Sequence, residues 1–270
     1  MSDPVNIVVH GSAGRMGQAI VRCVLESVQA RLACALVKPG SGLADEPLDR
    51  VFGALPRNVD FSTSLDPDTP CDVLVDFSGA HAFDAALALA LQRRAAFVSG
   101  STGLRDEQLA ALDRAAQVIP VLWTANFSLG VAMLLRAVRR VAAALPDWDC
   151  EILEMHHARK QDAPSGTALA LGAAVAEARA TSLDAEAVYA RHGQPGPRRS
   201  GEIGFAALRG GDVAGEHSVV FATTGERLEL VHRAGNRDIF ARGALAAAVW
   251  IAHREPGRYS LDQVLATDVA

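Results

Sequence analysis

Between Glu154 and Thr167 the chain reads EMHHARKQDAPSGT, which gathers two imidazoles (His156, His157), one ammonium (Lys160) and a run of helix-capping residues into one loop. Such a group can bind a small anion and move a proton to or from it, since imidazoles exchange protons near neutral pH and an ammonium adds fixed positive charge. The residues leading in alternate, with Cys150, Ile152, Glu154 and His156 on one side and Glu151, Leu153, Met155 and His157 on the other. That pattern predicts a strand delivering the histidines at its end. Pro164 disfavours helix at Ala163, while Ser165, Gly166 and Thr167 offer caps for an alanine-rich helix from about Ala168. A helix start presents unpaired N–H groups and partial positive charge, which suits a carboxylate or phosphate. Solvated strand-end histidines and a surface lysine would look the same residue by residue, and both readings stay open at this point.

A second loop, GSAGRMG, places Gly11, Gly14 and Gly17 directly after the apolar run Val5 to Val9 and at the start of a helical pattern, Met16 to Val28. Strand, glycine turn and helix is the context of a dinucleotide fingerprint, although the spacing departs from G-x-G-x-x-G. Gly11 can make the tight turn, Gly14 can admit a pyrophosphate, and Gly17 can let the helix pack closely. A tight turn with no ligand is the alternative. Roughly 20 residues on, where an acidic residue would bind ribose hydroxyls, stand Val37 and Lys38. Lys38 favours a 2′-phosphate, so NADPH is the expected cofactor with NADH possible, and Arg15 is a candidate second phosphate contact.

Strands over Leu32 to Val37, Asp72 to Phe77, Ala96 to Ser99 and Val118 to Leu122 alternate with helices over His81 to Arg93 and Leu104 to Ala116. The class is α/β, a Rossmann-like doubly wound parallel sheet. Loops and one short strand are expected between Pro39 and Pro70. A helix from about Leu129 to Ala144 leads to the strand Cys150 to His156, a helix within Gly166 to Arg179, and β-type runs at Ile203 to Leu208, His217 to Thr223 and Arg227 to His232. These predict a second α+β domain with a mixed or antiparallel sheet. Helices over Ile239 to Ala252 and after Leu261 return with no strand to follow them. The expected division is 1–127 with 238–270 for the dinucleotide and 128–237 for substrate and oligomerisation, with hinges at Asn126 to Gly130 and Gly235 to Asp238.

With 270 residues, half of them hydrophobic, the chain can bury a large core. A net charge of -5 gives no electrostatic footprint for nucleic acid, and the basic run Pro197 to Arg199 reads as a solvated loop. Cys23, Cys34, Cys71 and Cys150 form no CxxC pair and read as reduced structural thiols. The absence of a signal-like start or a charge-free apolar span predicts a cytoplasmic protein with no membrane partner. Histidine spacing fits no zinc motif, so no metal is expected.

Taken in order, GSAGRMG, SGSTG, TANFSLG, EMHHARKQDAPSGTA and GFAALRGGDVAGEH resemble the 4-hydroxy-tetrahydrodipicolinate reductase (dihydrodipicolinate reductase) family nearly end to end. The resemblance implies NAD(P)H-dependent reduction of a small cyclic dicarboxylate in diaminopimelate and lysine biosynthesis, by a homotetramer. It implies His156 and Lys160 as catalytic residues and His157, Gly166 and Thr167 as substrate contacts. Cofactor contacts would be Gly11, Ser12, Ala13, Gly14, Arg15, Met16, Gly100, Ser101, Thr102, Thr124, Ala125, Asn126 and Phe127. Family members often carry an acid where Val37 stands, and DFSGAHA lacks a basic or proline residue at Gly79 and Ala80. Two rivals remain: another two-domain dehydrogenase, for which a phosphorylating semialdehyde enzyme would need an activated cysteine, and a nucleotide-sensing protein without turnover.

Overall fold

The computed structural model describes residues 3–53 and 59–265. In chain order the elements are β1 (Val5–His10), α1 (Arg15–Leu25), β2 (Ala30–Leu36), α2 (Asp49–Phe52), β3 (Phe61–Ser62), β4 (Val73–Asp76), α3 (Ala80–Arg93), β5 (Ala96–Ser99), α4 (Asp106–Ala115) and β6 (Pro120–Trp123). They continue as α5 (Leu129–Ala144), β7 (Asp149–His156), α6 (Gly166–Ala178), α7 (Leu183–Glu186), β8 (Ala187–Val188), β9 (Ile203–Arg209), β10 (Gly215–Thr223), β11 (Glu226–Ala234), α8 (Asp238–Ile251), β12 (Gly257–Tyr259) and α9 (Leu261–Leu265). Two compact units result, the first running to Ser128 and resuming at Asp238, the second spanning Leu129–Arg237.

The first unit holds a seven-stranded sheet, ordered β12-β6-β5-β4-β1-β2-β3, in which every pairing is parallel. Its central strands are short and buried on both faces, as VLVD and AFVS show, because helices cover both sides. Strand order reverses between β1 and β4, and a crevice opens there at the carboxyl ends. The second unit's sheet is mixed, ordered β11-β10-β7-β9-β8: β10 is antiparallel to β7 and β11, while β9 is parallel to β7 and β8. Helices α5 and α6 pack on one face, burying Val138, Leu171 and Val175 against Ile152, Phe205 and Phe221. On β7 the alternation turns Cys150, Ile152, Glu154 and His156 inward.

Several sequence expectations change. The first helix stops at Leu25 rather than Val28: the chain turns after Glu26, and Val28 is 89% exposed instead of facing the core. The strand expected from Val118 begins at Pro120, because Val118 lies in the turn that closes α4. Strand β12 lies between the last two helices and extends the parallel sheet beside β6; three residues are too few to show a period. Arg198 is not a solvated loop residue, since it binds Asp149, Glu151 and the carbonyls of Cys150, Arg199 and Glu202 and ties its loop to β7. All four cysteines are free, Cys34 and Cys150 buried and Cys23 and Cys71 partly so.

Candidate active site

Residues at the end of β7 build the site of the second unit. Glu154 is buried, and its Oε2 lies 2.6 Å from His156 Nδ1. Arg209, opposite His156 in the parallel register, grips the same carboxylate in a two-pronged contact, Nη1 to Oε2 and Nη2 to Oε1, each at 2.8 Å. The Ser165 amide donates to Oε1 at 3.1 Å. Burial raises the Glu154 carboxyl, but hydrogen bonds from Arg209 and His156 outweigh it and hold the group ionised below its ordinary range. His156 is thereby fixed with Nδ1 toward the carboxylate, leaving Nε2 as the exchangeable ring atom.

Behind this pair lies His217, on β10 opposite Glu154, its ring centroid 5.2 Å from that of His156. Burial, reinforced by the His156 charge, pushes the His217 pKa down to about 4, so the ring stays neutral. Its Nε2 meets Ser165 Oγ at 3.1 Å. Ser165 caps α6 as the sequence predicts, its hydroxyl accepting from the Ala168 amide. The loop between β7 and α6 is laced to the one after β9 by Gly210 N to His156 O and Ala158 N to Gly211 O. Lys160 reaches Asp162 at 2.9 Å, and that bond lowers the Asp162 carboxyl. His157 leaves Nδ1 buried without a hydrogen-bond partner, and desolvation with the nearby Arg159 lowers its pKa. The structure thus brings the histidine loop to one helix start. Sequence reasoning missed the roles of Arg209 and His217.

In the first unit a cavity of about 710 Å³ lies at the crevice between β1, β2 and β4, lined by Gly11, Ala13, Gly14, Val37, Lys38 and His10 among others. The glycine loop has the shape a dinucleotide needs. A Cβ at Gly11, whose φ is +82°, would fall 2.9 Å from Ser78 Cα, and one at Gly17 would fall 2.2 Å from the Gly11 carbonyl oxygen. Ser12 turns inward, its amide and hydroxyl both on the Leu36 carbonyl. Arg15 and Met16 open α1 beside the loop. Gly100, Ser101 and Thr102 follow β5, and Thr124, Ala125, Asn126 and Phe127 follow β6, on the same sheet edge but outside that cavity's lining. Ser101 spends its hydroxyl on Asp76, and Phe127 is buried against Phe77.

None of the cysteines offers a nucleophile: burial raises Cys34 to about 11 and Cys71 and Cys150 to about 12, and also raises Cys23. Among the described residues no cluster could hold a metal ion, and no helix is long and apolar enough to cross a membrane.

A doubly wound nucleotide unit and a mixed-sheet unit carrying an imidazole held by a carboxylate define a two-domain, NAD(P)-dependent oxidoreductase. Family models for the N-terminus and C-terminus of dihydrodipicolinate reductase match residues 5–127 and 130–265. The 4-hydroxy-tetrahydrodipicolinate reductase of Stenotrophomonas maltophilia is 46% identical over 263 residues, 97% of this chain and 98% of that protein. The one from Ruegeria pomeroyi is 44% identical over 96% and 97% of the two chains. A dipicolinate-bound dihydrodipicolinate reductase from Paenisporosarcina sp. TG-14 shares the fold, with a TM-score of 0.75, 24% identity, and 95% and 97% of the chains covered. This chain belongs to the dihydrodipicolinate reductase family. It is an NAD(P)H-dependent reductase of diaminopimelate and lysine biosynthesis.

Proposed function

We propose that the chain reduces 4-hydroxy-tetrahydrodipicolinate, by way of dihydrodipicolinate, to tetrahydrodipicolinate with NADPH preferred, and that His156 is the proton donor. The observation that carries this is the Glu154 carboxylate shared by His156 and Arg209 beside the start of α6. The reduced nicotinamide supplies hydride when bound; Gly11, Gly14 and Lys38 would hold the dinucleotide in unit one, with the loops after β5 and β6 contributing. Reduction of an unsaturated imine pushes electron density toward carbon and nitrogen, so a proton donor and a nearby cation are needed. His156 Nε2 supplies the first and Lys160 the second. The Lys160–Asp162 bond is no obstacle, because the Asp162 side chain is 61% exposed and such pairs are worth about 0–1 kcal/mol. Substrate carboxylates would be fixed by the amides of Gly166 and Thr167 and by His157, whose buried Nδ1 is left without a partner. The dipicolinate in the name of the Paenisporosarcina protein is a ligand of this kind, a cyclic dicarboxylate.

Preference for NADPH rests on Lys38 at the cavity rim and on Val37, which is buried and offers nothing to ribose hydroxyls. We also assign the second unit to oligomerisation, as a homotetramer in the cytoplasm: the sheet face away from α5 and α6 exposes Leu153, Leu208 and Val231 by 40%, 52% and 41%. Following NADPH absorbance with freshly generated 4-hydroxy-tetrahydrodipicolinate tests the activity, and no oxidation above the substrate-free rate would overturn it. A lower KM for NADH than for NADPH would overturn the cofactor preference alone.

A further inference from the structure

Asp76, at the end of β4, is fully shielded from solvent and collects donors from three strand ends. Its Oδ1 accepts from the Ser78 amide at 3.1 Å and the Ser78 hydroxyl at 2.6 Å, and lies 3.1 Å from His10 Nδ1. Its Oδ2 accepts from the hydroxyls of Ser99 at 2.9 Å and Ser101 at 2.7 Å. Burial raises this carboxyl, yet the bonds from His10, Ser78 and Ser101 hold it below its ordinary range, so it is ionised. Among the described residues its one ion-pairing partner is His10. An ionised acceptor at Nδ1 puts the ring proton there and leaves Nε2 to face outward.

The His10 ring is about one-fifth exposed and lines the cavity at the crevice. It immediately precedes Gly11, where strand order reverses and dinucleotide phosphates pass the sheet edge in folds of this kind. Among the described residues no Asp or Glu lines that cavity; its titratable and charged lining is His10 from β1, Lys38 after β2 and His81 from α3. A cavity with three nitrogenous groups and no acid is suited to an anion.

We propose that His10 is a cofactor-binding residue whose Nε2 donates to a phosphate oxygen of the bound nicotinamide dinucleotide, with Asp76 as the positioning residue that orients the ring. The assignment rests on dinucleotide binding by this unit. Only the imidazolium makes the contact while Nδ1 stays with Asp76. Asp76 is the charged group bonded to the ring and Lys38 and His81 are the other charged or titratable groups in the cavity lining, and cofactor affinity falls as the ring loses its proton.

The test is a fluorescence titration of the full chain with NADPH and with NADH, without substrate, from about pH 5.5 to about pH 8.5, the range imidazoles span. Kd is expected to rise about tenfold across that range, the difference between a charged and a neutral donor. In His10→Gln the rise should vanish, and in His81→Ala it should persist. A rise with both cofactors assigns the contact to the pyrophosphate, and a rise with NADPH alone assigns it to the 2′-phosphate. A flat profile in the unaltered protein, or a rise that survives His10→Gln, overturns the assignment. Absence of binding at every pH overturns dinucleotide binding itself and the assignment with it. The role of Asp76 is read without altering it, from imidazole nitrogen NMR of His10: a proton on Nδ1 and a move to imidazolium on adding NADPH are expected. A neutral ring protonated on Nε2 and unmoved by NADPH overturns the positioning role.

Discussion

In each unit a buried carboxylate near a strand end holds a histidine through Nδ1: Asp76 holds His10 at 3.1 Å, and Glu154 holds His156 at 2.6 Å. The rest of the wiring differs. Around Asp76 the other donors are hydroxyls and an amide, so among the described residues His10 is its one ion-pairing partner. Glu154 is shared with the fork of Arg209, so its charge is largely spent before it reaches His156. One arrangement leaves a buried carboxylate to a single imidazole, and the other divides it between an imidazole and a guanidinium.

The largest expected effect separates the two rings. His156→Gln removes a positioned general acid and is expected to lower kcat by roughly 10² to 10⁴. Its NADPH Kd should stay close to that of the unaltered enzyme, because His156 ends a strand of the other unit. Steady-state rates and fluorescence titrations check both, and a kcat within about twofold of the unaltered value would remove His156 as the acid.

How far this contrast was readable beforehand depends on sequence distance. Alternation alone put Glu154 and His156 on one face of β7, and turn chemistry made Ser165 a cap, since both are local rules. Arg209 is 55 residues beyond Glu154 and arrives only through the register of β9 on β7; His217 arrives through β10. No local rule reports such pairings, although both residues lie in the family-like segment GFAALRGGDVAGEH. A weaker signal marks the Asp76 cluster. His10, Asp76 and Ser99 each end a parallel strand and stand side by side, His10 opposite Asp76 and Asp76 opposite Ser99. Strands expected to be parallel neighbours and all ending in polar residues predict a polar row at the carboxyl edge. Instead Ser12 and Ser101 read as cofactor contacts, and the structure spends both hydroxyls on the protein's own acceptors.

Arg209→Met breaks the contrast from the second side, leaving Glu154 to His156 alone as Asp76 is left to His10. Breaking a buried pair by removing one partner costs about 3 kcal/mol here, the low end of the usual range because the Arg209 side chain is 21% exposed. Urea unfolding measures that loss. A loss below about 1 kcal/mol would show that the Arg209 fork does not hold the Glu154 carboxylate in place.

His217 sharpens the contrast through pH. Its folded pKa, about 4, lies below the ordinary 6.5, so as pH falls through that interval the unfolded chain takes up a proton that the folded one refuses. Stability therefore declines on acidification, with His217 contributing at most about 3 kcal/mol of the decline. Replacement by Gln removes this contribution, so the urea midpoint of His217→Gln should depend less on pH between about 6.5 and about 4. Equal slopes for the two proteins would mean that the ring is charged in the fold.

Ser165→Ala carries the smallest effect, and it distinguishes the frame of the site from its acid. The hydroxyl caps α6 through the Ala168 amide and meets His217 Nε2. The bond from Ser165 to Glu154 comes from the backbone amide, which the substitution leaves in place. Loss of the cap should cost about 1 kcal/mol of stability, a fall in Tm of roughly 2–4 °C for a chain of this size. Because Glu154 keeps all its donors, kcat should hold nearly steady while Tm drops. A hundredfold loss of kcat at unchanged Tm would move Ser165 from the frame into direct contact with the reacting groups, and would mean that the Glu154–His156 pair does not act alone.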